Sequence, residues 1–442
     1  MSRPVKRFSP RTLAPETESE SAGRAVPRAR APVPAPVFSR PDPAEAALLE
    51  QLPGLLSKVF PVSGVDKRHL PQNVAALSEI LTSRRGRLAE RSYWALPALT
   101  SAYLWYFLPW NLIRLMGLLP GLKLELAPDA KILDLGSGPL VLPLALWLSR
   151  PDLRGLPLHF TCLDSAALPL RLGCALFRAM AGADSPWRFT TVDEPLFRAL
   201  PSQERDFSLL TVCNMLNELK PERHSTLAAH LGRQVEALAR RLKPGGQMLI
   251  IEPGNRLGGK IIAVARVAAL QQGFAAMAPC PHQTACPLSV PARSAEVQAH
   301  PSGRSQGAAS WCHFTCAKKD ALVPVWLDEL SREARLAKDK LTLSWLFLKK
   351  GDAPARCPGK TPGAGVKPAV NSGPAALPGR VVSNSLLLPG REGRFFYVCS
   401  ARGLVLLQAG RGLRSGEGVE LLFTGKEEKD SKSGAIIVSL KA

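Results

Sequence analysis

Lys131-Ile-Leu-Asp-Leu-Gly-Ser-Gly138 is the stretch of the chain that decides the fold. A short β-like run leads into two glycines, and the residues from 140 to 149 then follow a helical apolar pattern. Gly136 and Gly138 allow a ligand to approach the backbone because they have no Cβ, and the start of the next helix favours an anionic group. A strand, a glycine-rich turn and a helix in this order predict a nucleotide site in a doubly wound α/β fold.

The sequence beyond this turn alternates between β-like runs and helical stretches. The β-like runs are residues 132–135, 159–163, 207–212, 247–251 and 341–348. The helical patterns are residues 140–149, 168–181, 224–242 and 321–336. This alternation predicts the α/β class, with a parallel sheet covered by helices on both faces.

The ends of the predicted strands supply further candidate ligands. Asp164 ends the second strand, where an acid can accept hydrogen bonds from ribose hydroxyls, and Asn214 follows the next long strand at the expected pocket rim. The predicted cofactor-binding residues are therefore Asp134, Gly136, Ser137, Gly138, Asp164 and Asn214. Glu218 and Glu252 are candidate bases, but both also suit packing or capping roles, so the catalytic residues stay unknown.

Three features together resemble the class I S-adenosylmethionine methyltransferases. They are the Asp-x-Gly-x-Gly turn, the acid at Asp164 and the Lys243-Pro-Gly-Gly246 turn before the fifth predicted strand. The resemblance implies S-adenosyl-L-methionine as cofactor and methyl transfer as activity. Pro139-Leu140 departs from it, because many members have a third small residue there. No amino-methylating motif or Pro-Cys nucleophile follows the strand at 207–212, so the acceptor atom is not predicted. The alternative to a cofactor-binding enzyme is a methyltransferase fold that has lost cofactor binding.

A second pattern consists of cysteines in metal-ligand spacing. Cys280-Pro-His and Cys286-Pro are followed by Cys312 between Trp311 and His313. Thiolates bind zinc or iron–sulfur clusters, which need four such ligands. The candidates for the fourth ligand are Cys316, Cys357 and Cys399. Spacing leaves zinc and iron–sulfur open, although the lack of Cys-x₂-Cys knuckles favours a cluster; reduced surface thiols are the alternative.

Several short motifs resemble a methyltransferase-like family of small-ribosomal-subunit assembly factors with bacterial and mitochondrial members. They are Tyr106-Phe-Leu-Pro-Trp-Asn-Leu112, Glu252-Pro-Gly254, Cys280-Pro-His282, Cys286-Pro287 and Trp311-Cys-His-Phe314, and the resemblance covers roughly residues 45 to 410. It implies a [4Fe-4S] cluster on Cys280, Cys286, Cys312 and Cys399, which joins the methyltransferase fold to a small C-terminal β region. It also implies association with the small ribosomal subunit. The stretch 287–310 is longer than the family's spacing and is expected to be a looped insertion.

The net charge of +21 and the pI of about 10.0 are the strongest bulk signal. Such an excess favours a polyanionic partner, above all nucleic acid, because each phosphate that is neutralised releases counterions. With the family resemblance, the expected partner is rRNA. A solvated basic surface is the alternative. Nine cysteines are too few for a disulfide scaffold, and no secretory signal follows Met1, so we expect reduced thiols in the cytoplasm of a bacterium or in a mitochondrion.

The composition along the chain predicts six regions. They are a disordered basic arm (1–42), a helical subdomain (43–125), a methyltransferase-like core (126–275), a Cys-rich metal-binding segment with the last core helix and strand (276–350), a Pro/Gly linker (351–379) and a β-rich C-terminal region (380–442). The uncharged stretch from Ser92 to Ile113 is predicted to be a buried helical pair broken at Pro109 rather than a membrane span. We predict no membrane partner and no obligate oligomer.

These observations support two main hypotheses about function. The first is an assembly factor that binds rRNA and uses the cluster as a structural clip. The second is an active methyltransferase on rRNA or a ribosomal protein. A redox or iron sensor is a third, weaker option.

Overall fold

The structure is a computed structural model that describes residues 32–40, 42–82, 92–195, 204–219, 225–288, 311–351, 375–424, 427–431 and 433–439. Residues 1–31 of the predicted arm lie outside these ranges, as do residues 289–310 of the predicted insertion and 352–374 of the predicted linker. None of the described helices has the length and apolar character needed to cross a membrane.

Helices fill the region before the glycine-rich turn. Asp42 begins the first of them with a capping box, since its side chain accepts a hydrogen bond from the backbone while Glu45 bonds back to it. The helices are α1 (Pro43–Glu50), α2 (Leu52–Val59), α3 (Gly64–Thr82), α4 (Pro97–Ala102) and α5 (Leu108–Leu118).

The predicted break at Pro109 is wrong. A π-helical turn, Tyr103–Phe107, joins α4 to α5 without interruption, and the N–H of Leu108 bonds to the carbonyl of Tyr103, five residues back. Pro109 has no N–H to donate, and its ring crowds the carbonyl four residues earlier in a regular helix. The wider turn directly before Pro109 relieves this conflict, so the helix continues along the core.

The central sheet has the strand order β3-β2-β1-β4-β5-β8-β6, and β7 also pairs with β8. All strands of this order run parallel except β8, which is antiparallel to both of its neighbours. The strands are β1 (Ala130–Leu135), β2 (Leu158–Asp164), β3 (Trp187–Asp193), β4 (Phe207–Cys213), β5 (Leu242–Pro253), β6 (Phe274–Ala278), β7 (Phe314–Ala317) and β8 (Lys340–Lys350). The helices around them are α6 (Val141–Ser149), α7 (Ala167–Ala181), α8 (Leu227–Ala239), α9 (Arg256–Gln271) and α10 (Val325–Glu333). A single antiparallel strand between the fifth and sixth strands is the class I methyltransferase topology, which confirms the predicted fold class.

The C-terminal region forms a second sheet, β12-β9-β10-β11-β14-β13. Its strands are β9 (Ala375–Val381), β10 (Arg394–Ser400), β11 (Gly403–Ala409), β12 (Gly418–Phe423), β13 (Glu428–Lys429) and β14 (Ile436–Ser439). The strands β9, β10 and β11 form an antiparallel meander, β12 returns to β9, and β14 runs parallel to β11. This is the strand order of an OB barrel. The linker prediction is wrong at its end, because residues 375–379 belong to β9.

The two faces of the barrel strand β10 have different roles. Phe396 and Val398 pack inside the barrel, in an apolar cluster with Val405 and Leu407 of β11. The alternate residues face outwards because successive side chains of a strand point to opposite faces. Of these, Tyr397 and Cys399 pack against the methyltransferase-like core. The outer face of the barrel is therefore an internal contact of the protein.

The disordered-arm prediction is wrong for the end of that segment. Val37 is buried, and its N–H donates to the carbonyl of Gly416 over 3.0 Å. A Cβ on Gly418 would lie 1.9 Å from the carbonyl oxygen of Pro34, so only glycine fits there. The apolar side chain of Val37 and its backbone hydrogen bond outweigh the Pro-rich composition, and this stretch packs on the barrel.

Candidate functional site

The glycine-rich turn is held by hydrogen bonds within the sheet. Gly136 and Gly138 have φ angles of +67° and +50°, in the left-handed region that favours glycine. The N–H of Ser137 donates to the carbonyl of Leu163 at 3.0 Å, and its hydroxyl donates to the carbonyl of Asp134 at 2.8 Å. Ser137 therefore fixes the turn and does not present its hydroxyl to a ligand.

Leu140 occupies the position at which many class I members have a third small residue. Its φ is +55° and its ψ is +44°, a left-handed conformation that costs a non-glycine residue roughly 1–2 kcal/mol. Its side chain is fully buried, and a Cβ on Gly173 of α7 would lie 2.7 Å from the Leu140 Cδ1. The burial of this leucine against a glycine offsets the strain of the turn.

Asp164 closes the turn from the end of β2. Its Oδ2 accepts from the N–H of Gly138 at 2.9 Å, and its Oδ1 accepts from the N–H of Ala166 at 3.1 Å. Burial raises the pKa of Asp164, and these backbone N–H groups oppose that shift. Each carboxylate oxygen has a second lone pair, so Asp164 can hold the turn and still accept a ribose hydroxyl.

Asp134 lies below the turn, inside the core. It is 1% exposed, and its Oδ1 accepts from the hydroxyl of Thr211 at 2.6 Å. Burial raises the pKa of Asp134 to about 6. A side chain so deeply enclosed supports the turn rather than reaching a ligand directly.

The loop after β4 forms the opposite edge of the site. Asn214 has a φ of +56°, and its N–H donates to the carbonyl of Ile251 at 2.7 Å. Met215 covers Gly136, because a Cβ on that glycine would lie 2.8 Å from the Met215 Cγ. The space over Gly138 is open by comparison, with the nearest atom, the Tyr103 hydroxyl, at 4.0 Å. A ligand therefore approaches the backbone at Gly138.

Glu252 anchors that loop from the end of β5. It is fully buried, and its Oε1 accepts from the N–H of Leu216 at 2.9 Å. Burial raises the pKa of Glu252 to about 7, so close to neutral pH the side chain exchanges a proton readily. Glu252 therefore has the capping role anticipated from the sequence, and its second oxygen has no hydrogen-bond partner among the described residues.

A cavity of about 580 Å³ lies over the glycine-rich turn. Asp134, Gly136, Ser137, Gly138, Asp164 and Asn214 all line it, so the structure brings the six predicted cofactor residues together. Glu218 and Glu252 line it as well. The volume falls in the usual range for a small-molecule site.

The helical region forms the roof of this cavity. Tyr93, Trp94, Tyr103 and Phe107 make a connected aromatic group, with ring centroids 4.7 to 5.9 Å apart. Burial raises the pKa of Tyr103 well above its ordinary value, so its phenol stays neutral. Arg114, on α5, also lines the cavity and is the sole Lys or Arg among the described lining residues. Its Nη1 donates to the Asn111 Oδ1 at 2.6 Å.

The four predicted thiol ligands come from three separate parts of the chain. Cys280 and Cys286 lie in the loop after β6, Cys312 precedes β7, and Cys399 lies on the outer face of the barrel strand β10. Cys399 is buried and the other three residues are half-buried. The imidazole Nε2 of His282 is 3.2 Å from the Cys399 sulfur.

Cys312 and Cys399 are near enough to the other predicted thiol ligands for their charges to interact. Burial raises the pKa of Cys312 well above its ordinary value, and the neighbouring Cys280, Cys286 and Cys399 raise it further. Burial likewise raises the pKa of Cys399, with Cys280 and Cys286 adding to the shift. The raised pKa values keep the Cys312 and Cys399 thiols protonated, so a metal would have to displace those protons to bind there.

Cys316 is separated from this group. Burial raises its pKa to about 11, and the charged groups that act on it are Asp320 and Arg414 rather than another cysteine. It lines a different cavity, between β7 and the barrel. Cys357 lies outside the described residues. The spacing between sulfurs is not that of a formed single-ion site, since no group of three or more His, Cys, Asp or Glu side chains in the described ranges could hold a metal ion.

The cofactor cavity and the thiol site are physically joined. The indole N–H of Trp311 donates to the carbonyl of Gly254 at 3.3 Å, and Gly254 lines the cavity. A Cβ on Gly259 of α9 would lie 2.7 Å from Trp311 and 3.0 Å from the carbonyl oxygen of Cys312. The Ser344 hydroxyl donates to the same Cys312 carbonyl at 2.7 Å. The segment that carries Cys312 is thus fixed to the rim of the cavity.

One family model is similar to part of this core. Residues 125–321 match the family model described as "Mitochondrial small ribosomal subunit Rsm22". Over this stretch the chain is Rsm22-like. The match confirms the predicted resemblance to a methyltransferase-like small-subunit family, and it includes the glycine-rich turn and three of the four thiols. The chain matches no curated protein.

Two of the solved structures with similarity to this chain are described as putative methyltransferases. A putative class I S-adenosylmethionine-dependent methyltransferase from Listeria monocytogenes shares 13% identity over 72% of this chain and 92% of its own, with a TM-score of 0.32. A putative sarcosine dimethylglycine methyltransferase from Galdieria sulphuraria shares 18% identity over 51% of this chain and 80% of its own, with a TM-score of 0.27. Since these scores are low, the fold assignment depends on the strand order described above.

Sequence reasoning missed several residues of the two sites. The aromatic roof falls in the stretch predicted to be a buried helical pair, and Arg114 follows that stretch directly. A polar Asn111 and a charged Arg114 in an apolar helix were a usable signal. Arg266 is likewise a charged residue in the apolar run of α9, and it proves to be buried beside Cys280. Arg380 had no local signal, because its neighbours were read as the start of a β region.

Proposed function

We propose that this Rsm22-like protein is a methyltransferase-fold factor of the small ribosomal subunit that binds S-adenosyl-L-methionine and rRNA and carries a [4Fe-4S] cluster. The observation that carries the proposal is the pairing, in one core, of a glycine-lined cavity with four cysteines that converge from distant segments. The family match supports the small subunit as the partner. Ribosome assembly or translation is the process that this partner implies.

The donor set supports a cluster at the thiol site. Four cysteines with no carboxylate among them suit soft or borderline metals, and both zinc and iron–sulfur centres fit this chemistry. Cys280, Cys286, Cys312 and Cys399 would be the ligands. A four-iron cluster is larger than one ion, and it would fit sulfurs that are neighbours without the spacing of a single-ion site.

The metal content separates these alternatives. Protein purified without oxygen is expected to show broad visible absorption and about four irons per chain, as a [4Fe-4S] cluster requires. One zinc per chain with no visible absorption would show that the thiols hold a zinc ion and not an iron–sulfur cluster. A protein that contains neither iron nor zinc would have only reduced thiols at this site, and this part of the proposal would fail.

The cavity supports S-adenosyl-L-methionine as ligand. When bound, this cofactor supplies an electrophilic methyl group. Gly138 offers open backbone, Asp164 can accept ribose hydroxyls, and Asn214 lies at the rim. Calorimetry with S-adenosylhomocysteine is expected to give one site per chain, and an absence of heat at millimolar ligand would contradict cofactor binding.

Methyl transfer itself is a second candidate function, favoured by one observation. Glu252 lines the cavity with a pKa of about 7, which suits a group that takes a proton from an acceptor near neutral pH. Transfer of a labelled methyl group from S-adenosylmethionine to isolated small subunits, lost in Glu252→Gln, would establish it. If the protein binds the cofactor but transfers no methyl group, the assembly role would remain as its function.

rRNA binding is supported by the net charge of +21 and by the OB topology of the barrel. The outer face of β10 is occupied by contacts with the core, so the barrel loops and other basic surfaces would have to meet the RNA. Anisotropy with small-subunit rRNA fragments is expected to show affinity that falls steeply between 50 and 200 mM salt, by about 10³-fold for six phosphate contacts. Salt-independent binding would contradict a phosphate-based interface.

A further inference from the structure

Arg266 is a buried cation beside the thiols. It is 2% exposed, and its Nη2 donates to the carbonyls of His282 at 2.9 Å and Thr284 at 2.8 Å. Its Nε and Nη1 have no hydrogen-bond partner among the described residues. The guanidinium lies next to the Cys280 sulfur and acts electrostatically on Cys312 and Cys399.

Arg380 approaches the same thiols from the barrel. It is 6% exposed, its Nε donates to the carbonyl of Pro279 at 3.0 Å, and its Nη1 donates to the carbonyls of Gly416, at 2.8 Å, and Ala35. Its charge acts on Cys280, Cys312 and Cys399. The two arginines therefore reach the thiol site from α9 and from β9.

Neither arginine forms an ion pair with a carboxylate in the ranges that the structure describes. A buried charge without a counter-charge is costly, and carbonyl dipoles offset only part of that cost. An anionic centre held by the cysteines would supply the counter-charge that Arg266 and Arg380 lack among the described residues.

We propose that Arg266 and Arg380 are the charge partners of the metal centre, and that Arg266 raises its reduction potential. This inference rests on the proposed cluster. A four-iron cluster on four thiolates has a net negative charge of about two units, which increases by about one on reduction. A fixed positive charge and N–H donors near the sulfurs favour the more negative, reduced form, because they stabilise it more.

The test measures the midpoint potential of the anaerobic full-length protein by redox titration followed by electron paramagnetic resonance. Arg266→Gln removes the charge and keeps an amide that can reach the His282 carbonyl. Arg266→Lys keeps the charge. Arg256→Gln, at the exposed start of the same helix α9, removes an equal charge from an exposed position and is the matched control.

We expect Arg266→Gln to shift the potential to more negative values and to shorten the lifetime of the cluster in the presence of an iron chelator. Arg266→Lys and Arg256→Gln are expected to stay close to the wild type. If Arg266→Gln cannot hold iron but Arg266→Lys can, the charge is again the deciding property.

Two results would overturn the inference. One is an Arg266→Gln protein with the wild-type potential and cluster lifetime. The other is equal loss of iron in Arg266→Gln and Arg266→Lys, which would assign the arginine a packing role. A wild-type protein without iron would instead contradict the proposed cluster itself, and with it the charge-partner role.

Discussion

The cofactor cavity and the four-thiol site lie side by side but are built in different ways. The floor of the cavity comes from consecutive β-α units, and its key contacts, such as the Asp164 bond to Gly138, join neighbouring parallel strands. The thiol site joins the loop after β6, the segment before β7 and a barrel strand. The cavity therefore depends on local backbone conformation, whereas the thiol site depends on how the barrel sits on the core.

The largest expected effect is the loss of a thiol that the barrel contributes. Cys399→Ser should lower the iron-to-protein ratio and increase hydrogen exchange in β9 to β11, because it removes the ligand by which the proposed cluster would tie the barrel to the core. Cys316→Ser is the matched control and should retain iron. If Cys316→Ser loses iron and Cys399→Ser retains it, Cys316 rather than Cys399 would be the fourth ligand.

The buried carboxyl of the cavity predicts a pH dependence of stability. The pKa of Glu252 is raised to about 7, so between about pH 4.5 and 7 the folded protein holds a proton that the unfolded chain has released. Stability must fall as the pH rises through this interval. Glu252→Gln should therefore be more stable than the wild type at pH 8, by at most about 3 kcal/mol, and similar near pH 4.

Chemical denaturation at both pH values measures this difference. The exposed Glu125→Gln serves as control and should keep the wild-type slope, since Glu125 pairs with Lys349 at the surface. A pH slope that persists in Glu252→Gln would place the titrating group elsewhere.

Gly259 tests the connection between the two sites. In Gly259→Ala the new Cβ would meet Trp311 at 2.7 Å and displace the segment that carries Cys312. Overpacking of this kind costs about 1–3 kcal/mol, and iron retention should fall with it. Gly232→Ala, in α8 with open space around it, should stabilise the protein slightly. Unchanged iron content in Gly259→Ala would mean that the two sites are independent.

The smallest expected effect concerns the roof of the cavity. Arg114 is placed to attract the carboxylate of the cofactor's amino-acid part. Arg114→Met should weaken S-adenosylhomocysteine about tenfold, the value of one hydrogen bond to a charged group, and should leave 5′-methylthioadenosine, which lacks that carboxylate, unchanged. Calorimetry with both ligands distinguishes this effect from a general loss of the pocket.

The sequence predicted the cavity better than the thiol site for a physical reason. Glycines at 136 and 138, with an acid at 164, act through backbone geometry that short spacing encodes. Spacing alone could not choose between Cys316 and Cys399 as the fourth thiol ligand. That choice depends on the docking of a barrel whose cysteine lies more than a hundred residues after Cys286. Resemblance to a family, rather than periodicity, pointed to Cys399.

Two other differences have equally specific causes. Pro109 suggested a helix break, but a π turn absorbs its missing N–H, an adjustment that propensity rules do not anticipate. Residues 34–37 looked too Pro-rich to fold, yet Val37 finds an apolar contact and a backbone partner on the barrel. Buried Arg380 gave no local signal because its partners come from distant parts of the fold, whereas Arg266 stood out as a charge in the apolar run of α9.

The position of Cys399 on the outside of β10 has a consequence for the order of events during synthesis. A ribosome that has translated residues 125–321 has already made Cys280, Cys286 and Cys312, but the fourth predicted sulfur follows only with β10. A product that ends before β10 would carry three of the four thiols and would lack the strand that holds the fourth. Occupancy of the proposed centre would then report that the barrel has been made and has docked on the core.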